Sequence, residues 1–280
     1  MNDSTPRPPQ TIAVTSGKGG VGKSQLVAGL ALALMREGRR VLLVDVDVGV
    51  GDLALLAGVE PEGDLGDVIA GPAKVADVVT EYARDFEGLV DLLAAPSAGK
   101  RGGELTPAEQ LAIVEAVGEV GVNYDFVIID TGAGVTANPM LFAAAADRVI
   151  VLTTPEPTAI FDAYAAIKVL HRAHRVVAVD LVVNSVGSRN EGPRAHRRLL
   201  GVVQGHLPVA LRYLGALPED DRVRRAVHRC TPAVVSYPQS DYARAVRRLA
   251  ERLCSEEATV RAAGGIRYFA EGPSALGAVS

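Results

Sequence analysis
The sequence predicts an α/β fold: a doubly wound, mostly parallel sheet with helices on both faces. Two patterns and one loop carry that expectation. Short apolar runs of strand length alternate with segments whose apolar residues recur every three or four positions. The runs are apolar throughout, as strands covered on both faces must be. The first of them leads straight into TSGKGGVGKS (residues 15–24), which holds four glycines and two lysines. Ligands of such sheets sit at the carboxyl ends of the strands.

Taken in order, TIAVT (11–15) is the first strand, and the segment 25–36, built on LVAGLALALM, is the first helix. VLLVD (41–45) and LVDLLA (89–94) are strands, followed by a helix over 107–120. FVIID (126–130) and RVIVLT (148–153) are strands, and a helix covers 159–172. Strands over 177–184 and 213–217 follow, and a helix over 241–253 closes the series. There is no repeat, low-complexity tract or linker, so residues 11–254 are expected to form one domain between an N-terminal tail (1–10) and a C-terminal tail (255–280).

Composition narrows the class. With 48% hydrophobic residues in 280, the chain can bury a sizeable core. No run of 18 residues is continuously apolar and MNDSTPRPPQ lacks a signal-peptide core, so a cytoplasmic location is expected. Cys230 and Cys254 form no CxxC pair and are expected to be ordinary buried or half-buried thiols. Histidines 171, 174, 196, 206 and 228 have no metal-ligand spacing. The net charge of −4 divides into −10 over residues 1–150 and +6 over 151–280. A basic second half would suit an acidic partner, a nucleic acid or an anionic membrane, or would simply be solvated helix faces.

The stretch from Gly17 to Ser24 fits G-x-x-x-x-G-K-[ST] and lies after a strand and before a helix, where that motif works. Glycines at 17, 19, 20 and 22 let backbone N–H groups turn toward phosphate oxygens, and the helix adds its positive end. Lys23 would neutralise the β and γ phosphates of a nucleotide and Ser24 would ligate Mg²⁺. Val21 and Gln25 complete the set of loop positions. Gln25 has no role legible in the sequence. Carboxylates fall at strand ends: Asp45, then Asp47, which a period-2 strand would point the same way, and Asp130, a Walker B aspartate after four apolar strand residues, with Gly132 as a hinge near the γ phosphate. The alternative for these aspartates is a helix cap. Lys18 would duplicate Lys23 if it bent back, but it can reach across an interface to the phosphates of a second subunit.

These residues resemble the deviant phosphate loop KGGxGK[ST] of the MinD/ParA family of P-loop ATPases, which also contains the nitrogenase iron protein and the flagellar regulators called FlhG or FleN. The resemblance implies that Lys18 acts in trans, coupling ATP binding to dimerisation. It makes Asp47, within DVDVG, the residue that orients the attacking water, and Asp45 a support of the Mg²⁺ shell. It places adenine near Asn184 and the loop of Pro218, Glu219 and Asp220, for which a cap or turn is the other reading. Nothing resembles the NKxD signal of guanine readers, so ATP is expected as the nucleotide.

Residues 130–170, with TTPEPT and DAYAAIKVL, and the C-terminal YLGALPEDD…RRLAERL are similar to the flagellar branch over roughly residues 11–254. This implies a slow ATPase that forms an ATP-bound homodimer and controls flagellar number or position through a flagellar GTPase (FlhF), a transcription activator or a switch-complex protein. Two departures stand out. The N-terminus lacks the DQAxxLR element of some members. The tail carries Ile266, Tyr268 and Phe269 before Gly272-Pro273, one turn at most, so only weak membrane association through two tails of a dimer is expected. ParA-like binding of nucleic acid through arginines in 189–201, 221–229 and 244–253 is the alternative. In the last segment the arginines lie off the apolar stripe Ala245, Val246, Leu249 and Leu253, as on any amphipathic helix.

Overall fold
The computed structural model describes residues 8–47, 51–71, 73–84, 88–97 and 105–256. The tail with Ile266, Tyr268 and Phe269 lies outside them. The elements are β1 (Gln10–Ser16), α1 (Lys23–Arg36), β2 (Arg40–Asp45), α2 (Leu53–Ala57), α3 (Leu65–Ile69), a 3₁₀ turn (Val75–Val78), β3 (Val79–Arg84), β4 (Leu89–Leu93), α4 (Pro107–Gly121) and β5 (Phe126–Ala133). There follow α5 (Ala137–Ala145), β6 (Arg148–Thr153), α6 (Pro157–His174), β7 (Ala178–Val186), α7 (Glu191–His206), β8 (Ala210–Pro218), α8 (Asp221–Val227), α9 (Ala233–Ser236) and α10 (Asp241–Ser255).

Among the described residues eight strands form one sheet in the order β3-β4-β2-β5-β1-β6-β7-β8. Strand β3 alone pairs antiparallel, with β4; every other pair is parallel. The expected strands are all present. β3 was missed because VTEYAR is an edge strand interrupted by two charges, Glu81 and Arg84. It lacks the continuous apolar signature of its neighbours. Helix α5 was missed for the opposite reason: ANPMLFAAA is apolar nearly all round and has no periodicity to read.

The strand period of two sorts the core into two layers. Val41 and Leu43 of β2 join Ile12, Val14, Phe126 and Ile128 against α1 and α10, whereas Leu42 and Val44 join Ala13, Val127 and Ile129 against α4 to α6. Helix α1 is buried without a gap from Gln25 to Met35, because the sheet covers one side and α10 the other. A helix enclosed in this way must be apolar all round, as LVAGLALALM is. Leu30→Ala at its centre would cost about 2–5 kcal/mol. The arginines of α10 are on its solvated side, while Ala245, Val246, Leu249 and Leu253 are buried.

Because β1 lies between β5 and β6, the turns leaving β1, β2, β5 and β6 converge at one end of the sheet. The phosphate loop and Glu156 come from the turns after β1 and β6, and Asp45 and Asp130 from the carboxyl-terminal parts of β2 and β5.

Candidate functional site
The loop between β1 and α1 is held by close backbone packing. A Cβ on Gly17 would lie 2.1 Å from the Asp162 carbonyl oxygen in α6, so only glycine fits. Gly22, the residue before α1, has φ +91°, and a Cβ there would meet the Asn184 amide at 2.5 Å. Asn184 in turn donates through Nδ2 to the Val21 carbonyl at 2.7 Å. The loop therefore cannot relax without moving both β7 and α6.

Lys23 is only 8% exposed and its ammonium pairs with the buried Asp130 carboxylate. The Ser24 side chain lies beside the same carboxylate and, like Lys23, favours its charged form. Asp45 is buried at the end of β2, beside Asp130 in register, and its oxygens accept from the Asp47 N–H (3.0 Å) and the Leu53 N–H (3.3 Å). Asp47 lies beyond the strand, with its carboxylate against Gly132, where a Cβ would stand 3.1 Å from Asp47 Oδ1. Burial, and for Asp45 the neighbouring Asp130, pushes these carboxyls up: Asp45 reaches about 8, and Asp47 and Asp130 rise as well although Lys23 opposes the rise in each. One lysine faces three aspartates, which leaves the end of the sheet short of positive charge.

A cleft of about 500 Å³ opens over the loop, lined by Gly19 to Gln25, Asp47 and Ala133 and by Asp52, Leu55, Leu56, Val227 and Cys230. A glycine-cradled helix N-terminus with a lysine, a hydroxyl and clustered carboxylates fits a nucleotide phosphate chain with a divalent cation.

The structure departs from two expectations, the common direction of Asp45 and Asp47 and the burial of Cys230, and gives the other site residues the following places. Asp45 and Asp47 do not point the same way: β2 ends at Asp45, so the period of two stops there, and Asp45 lines a separate cavity of about 470 Å³ with Asp64 and Asp67. None of Asn184, Pro218, Glu219 or Asp220 is among the residues lining the cleft. Asn184 braces the phosphate loop, Pro218 ends β8, the Glu219 N–H donates to the Val186 carbonyl (3.0 Å), and Asp220 caps α8 through the Arg222 N–H (2.9 Å). Gly132 lies within β5, which runs on to Ala133. Cys230 is exposed and lines the cleft. Val227 and Cys230 were missed because nothing in DRVRRAVHRC distinguishes a cleft wall from a solvated helix.

Lys18 stands apart. It is 34% exposed, is not among the residues lining the cleft, and its ammonium pairs with Glu156 Oε2 at 2.8 Å. Glu156 belongs to the TTPEPT turn after β6. Exposed Phe161 and Val135 belong to the adjoining α6 and the turn after β5.

A strand, a glycine-rich turn closed by Lys23 and Ser24, and a second strand delivering Asp130 define a P-loop nucleotide-binding ATPase. Residues 12–233 match the CobQ/CobB/MinD/ParA nucleotide binding domain, and the chain belongs to that family. It is 35% identical over 264 residues to the antiactivator FleN of Pseudomonas aeruginosa, covering 94% of this chain and 93% of that protein. It is 35% identical over 219 residues to the flagellum site-determining protein YlxH of Helicobacter pylori, covering 77% and 72%. Among solved structures it is similar to the septum site-determining protein MinD of Pyrococcus horikoshii complexed with Mg-ADP, with a TM-score of 0.73 and 29% identity over 89% of this chain and 98% of that one. Among the described residues no helix is long and apolar enough to cross a membrane.

Proposed function
We propose that the protein is an ATP-driven dimerisation switch that regulates flagellar number or placement through protein partners. The observation that carries the switch is the division of labour between two lysines. Lys23 is buried against Asp130 and serves its own cleft, while Lys18 waits at the rim on a carboxylate that solvent screens. A cation held so loosely is free to transfer to the phosphates of a second copy. The flagellar assignment is supported by the near full-length likeness to FleN.

The residues divide the chemistry as follows. The N–H groups of Gly19 to Ser24 and the Lys23 ammonium bind the phosphate chain, and Ser24 with Asp130 would hold Mg²⁺, which when bound offsets phosphate charge. Asp45 has both oxygens engaged by N–H groups, so it acts as the anchor of the turn that carries Asp47. Asp47, half-buried and lining the cleft, orients the attacking water. Hydrolysis then rests on positioning and charge neutralisation without a covalent intermediate. The nucleotide base lies toward Leu55, Val227 and Cys230, the apolar part of the cleft lining.

Solution mass tests the reading. Mg-ATP is expected to convert monomer to dimer in the wild type and to leave Lys18→Ala monomeric, with Asp47→Ala holding the dimer longest. A mass indifferent to nucleotide in all three would contradict it.

A further inference from the structure
From Arg222 to Ser240 the chain carries arginines at 222, 224, 225 and 229 and no aspartate or glutamate. All four arginines are exposed, as is His228 among them. Helix α8 is fastened by little: Ala226 is its one buried residue, and with the half-buried Val223 it packs into the layer that holds α1 and α10. The arginines do not serve the helix that bears them. Arg222 stands in the first turn, where the helix dipole disfavours a cation, and Arg225, three residues on, adds a like charge beside it. Arg224 has Asp221 at 3.8 Å, in an ion pair open to solvent. Among the described residues Arg222, Arg225 and Arg229 have no ion pair. Charge placed against local stability marks a surface whose use lies outside the helix.

The surroundings select what covers it. Glu219, Asp220 and Asp221 stand directly before the arginines and would repel the continuous phosphate rows of a nucleic acid. The exposed large apolar side chains beside the arginines are Val227, which ends α8, and Val235 of the adjoining α9, and neither offers a ring on which a base would stack. Every cation from 222 to 229 is an arginine, the one enriched in protein interfaces, and none is the lysine depleted there.

We infer that α8 is a docking surface for an acidic segment of a protein partner, whose carboxylates pair with Arg222, Arg225 and Arg229. This rests on the partner-regulated switch proposed above and gives the partner a chemistry and a place. The place couples docking to the cleft. Val227 and Cys230 line the cleft, and the Gln25 Oε1, in the first turn of α1, accepts the Ala233 N–H at 3.1 Å, which fastens the start of α9 to the helix that follows the phosphate loop. A partner drawn onto α8 therefore acts on the cleft lining, and by linkage the nucleotide alters the partner's affinity by the same factor.

The probe is fluorescein-labelled poly-L-glutamate, titrated by anisotropy at low salt into the full-length protein with Mg-ATP. Arg222→Ser/Arg225→Ser/Arg229→Ser is compared with Arg194→Ser/Arg197→Ser/Arg198→Ser, which removes the same charge from exposed positions of α7. The α8 triple should weaken binding about tenfold or more and the α7 triple by no more than about twofold. Polyglutamate should also shift the affinity for a fluorescent ADP in the wild type and leave it unshifted in the α8 triple. Equal weakening by both triples would mean a general attraction to the basic half of the chain and would overturn the inference. So would a random-sequence DNA duplex or phosphatidylglycerol vesicles held through α8 more tightly than polyglutamate. Polyglutamate held at α8 with no shift in ADP affinity would refute the coupling. Solution mass keeps the two readings apart: a wild type that ignores Mg-ATP sinks the switch, whereas one that dimerises yet binds polyglutamate no better than the α8 triple sinks the docking surface alone.

Discussion

Both ends of the sheet bury aspartates against cations, and they do so with opposite bookkeeping. At the end that receives the amino termini of the parallel strands, Arg148 of β6, 1% exposed, pairs with Asp180 of β7, which Arg212 of β8 also reaches at 2.9 Å. The same Arg148 reaches Glu256 just past α10 at 2.8 Å, and Arg252 reaches it too. There three guanidiniums enclose two carboxylates, so each carboxylate has two cationic partners. At the carboxyl end Lys23 alone faces Asp45, Asp47 and Asp130, and the carboxyls rise as burial and mutual repulsion require. One end is closed and structural. The other is short of a cation and lies beneath an open cleft, which is how a fold leaves room for a metal and a charged ligand.

Substitutions that break each end should separate stability from binding. The largest effect is expected at Lys23→Ala, which strands Asp130 in the core: about 3–5 kcal/mol of stability is lost, and nucleotide binding and hydrolysis with it, as urea unfolding and phosphate release would measure. Arg148→Met should cost a comparable amount, since Asp180 and Glu256 lose a partner, yet leave the affinity for Mg-ADP within about twofold. A large loss of affinity there would erase the distinction between the ends. Asp47→Ala should slow hydrolysis by at least about a hundredfold with little change in nucleotide affinity, read as turnover against a fluorescent-nucleotide titration.

The sharper test of the rim is Glu156→Gln. It frees Lys18 from an exposed pair worth at most about 1 kcal/mol, so stability should barely move. The ATP-dependent dimer should form at lower protein concentration, which sedimentation would detect. The smallest effect belongs to Glu256. Burial would raise its carboxyl, but Arg252 and Arg148 hold it below the ordinary carboxylate range. A lowered folded pKa contributes stability that is fully present above the unfolded value and lost as pH falls through the folded one. The melting-temperature gap between wild type and Glu256→Gln should therefore be constant at neutral pH and close in acid.

Legibility in the sequence followed the same divide. The phosphate loop was readable because backbone chemistry requires glycine at fixed offsets, and Asp130 because a buried strand ending in a carboxylate is rare without a use. The cleft wall was not readable: Leu55, Val227 and Cys230 meet the loop only through the packing of α2 and α8, and no spacing reports that. Asn184 and Asp220 were placed near the base by resemblance; their hydrogen bonds run to the Val21 carbonyl and from the Arg222 N–H, and the first of these joins residues that no spacing connects. Gln25 was opaque because its partner, Ala233, is more than two hundred residues away. The Arg148 network was invisible for the same reason, since its members come from three strands and the end of the last helix.

The most direct measurement is thermal melting of wild type, Arg148→Met and Lys23→Ala, each with and without saturating Mg-ADP. A ligand present at a hundred times its Kd stabilises by about 2.7 kcal/mol. The account predicts a rise of several degrees in wild type and a similar rise in Arg148→Met from its lower starting point, with none in Lys23→Ala. A Lys23→Ala protein that Mg-ADP stabilises as much as it does wild type would contradict the claim that the carboxyl end of the sheet is built around that ligand.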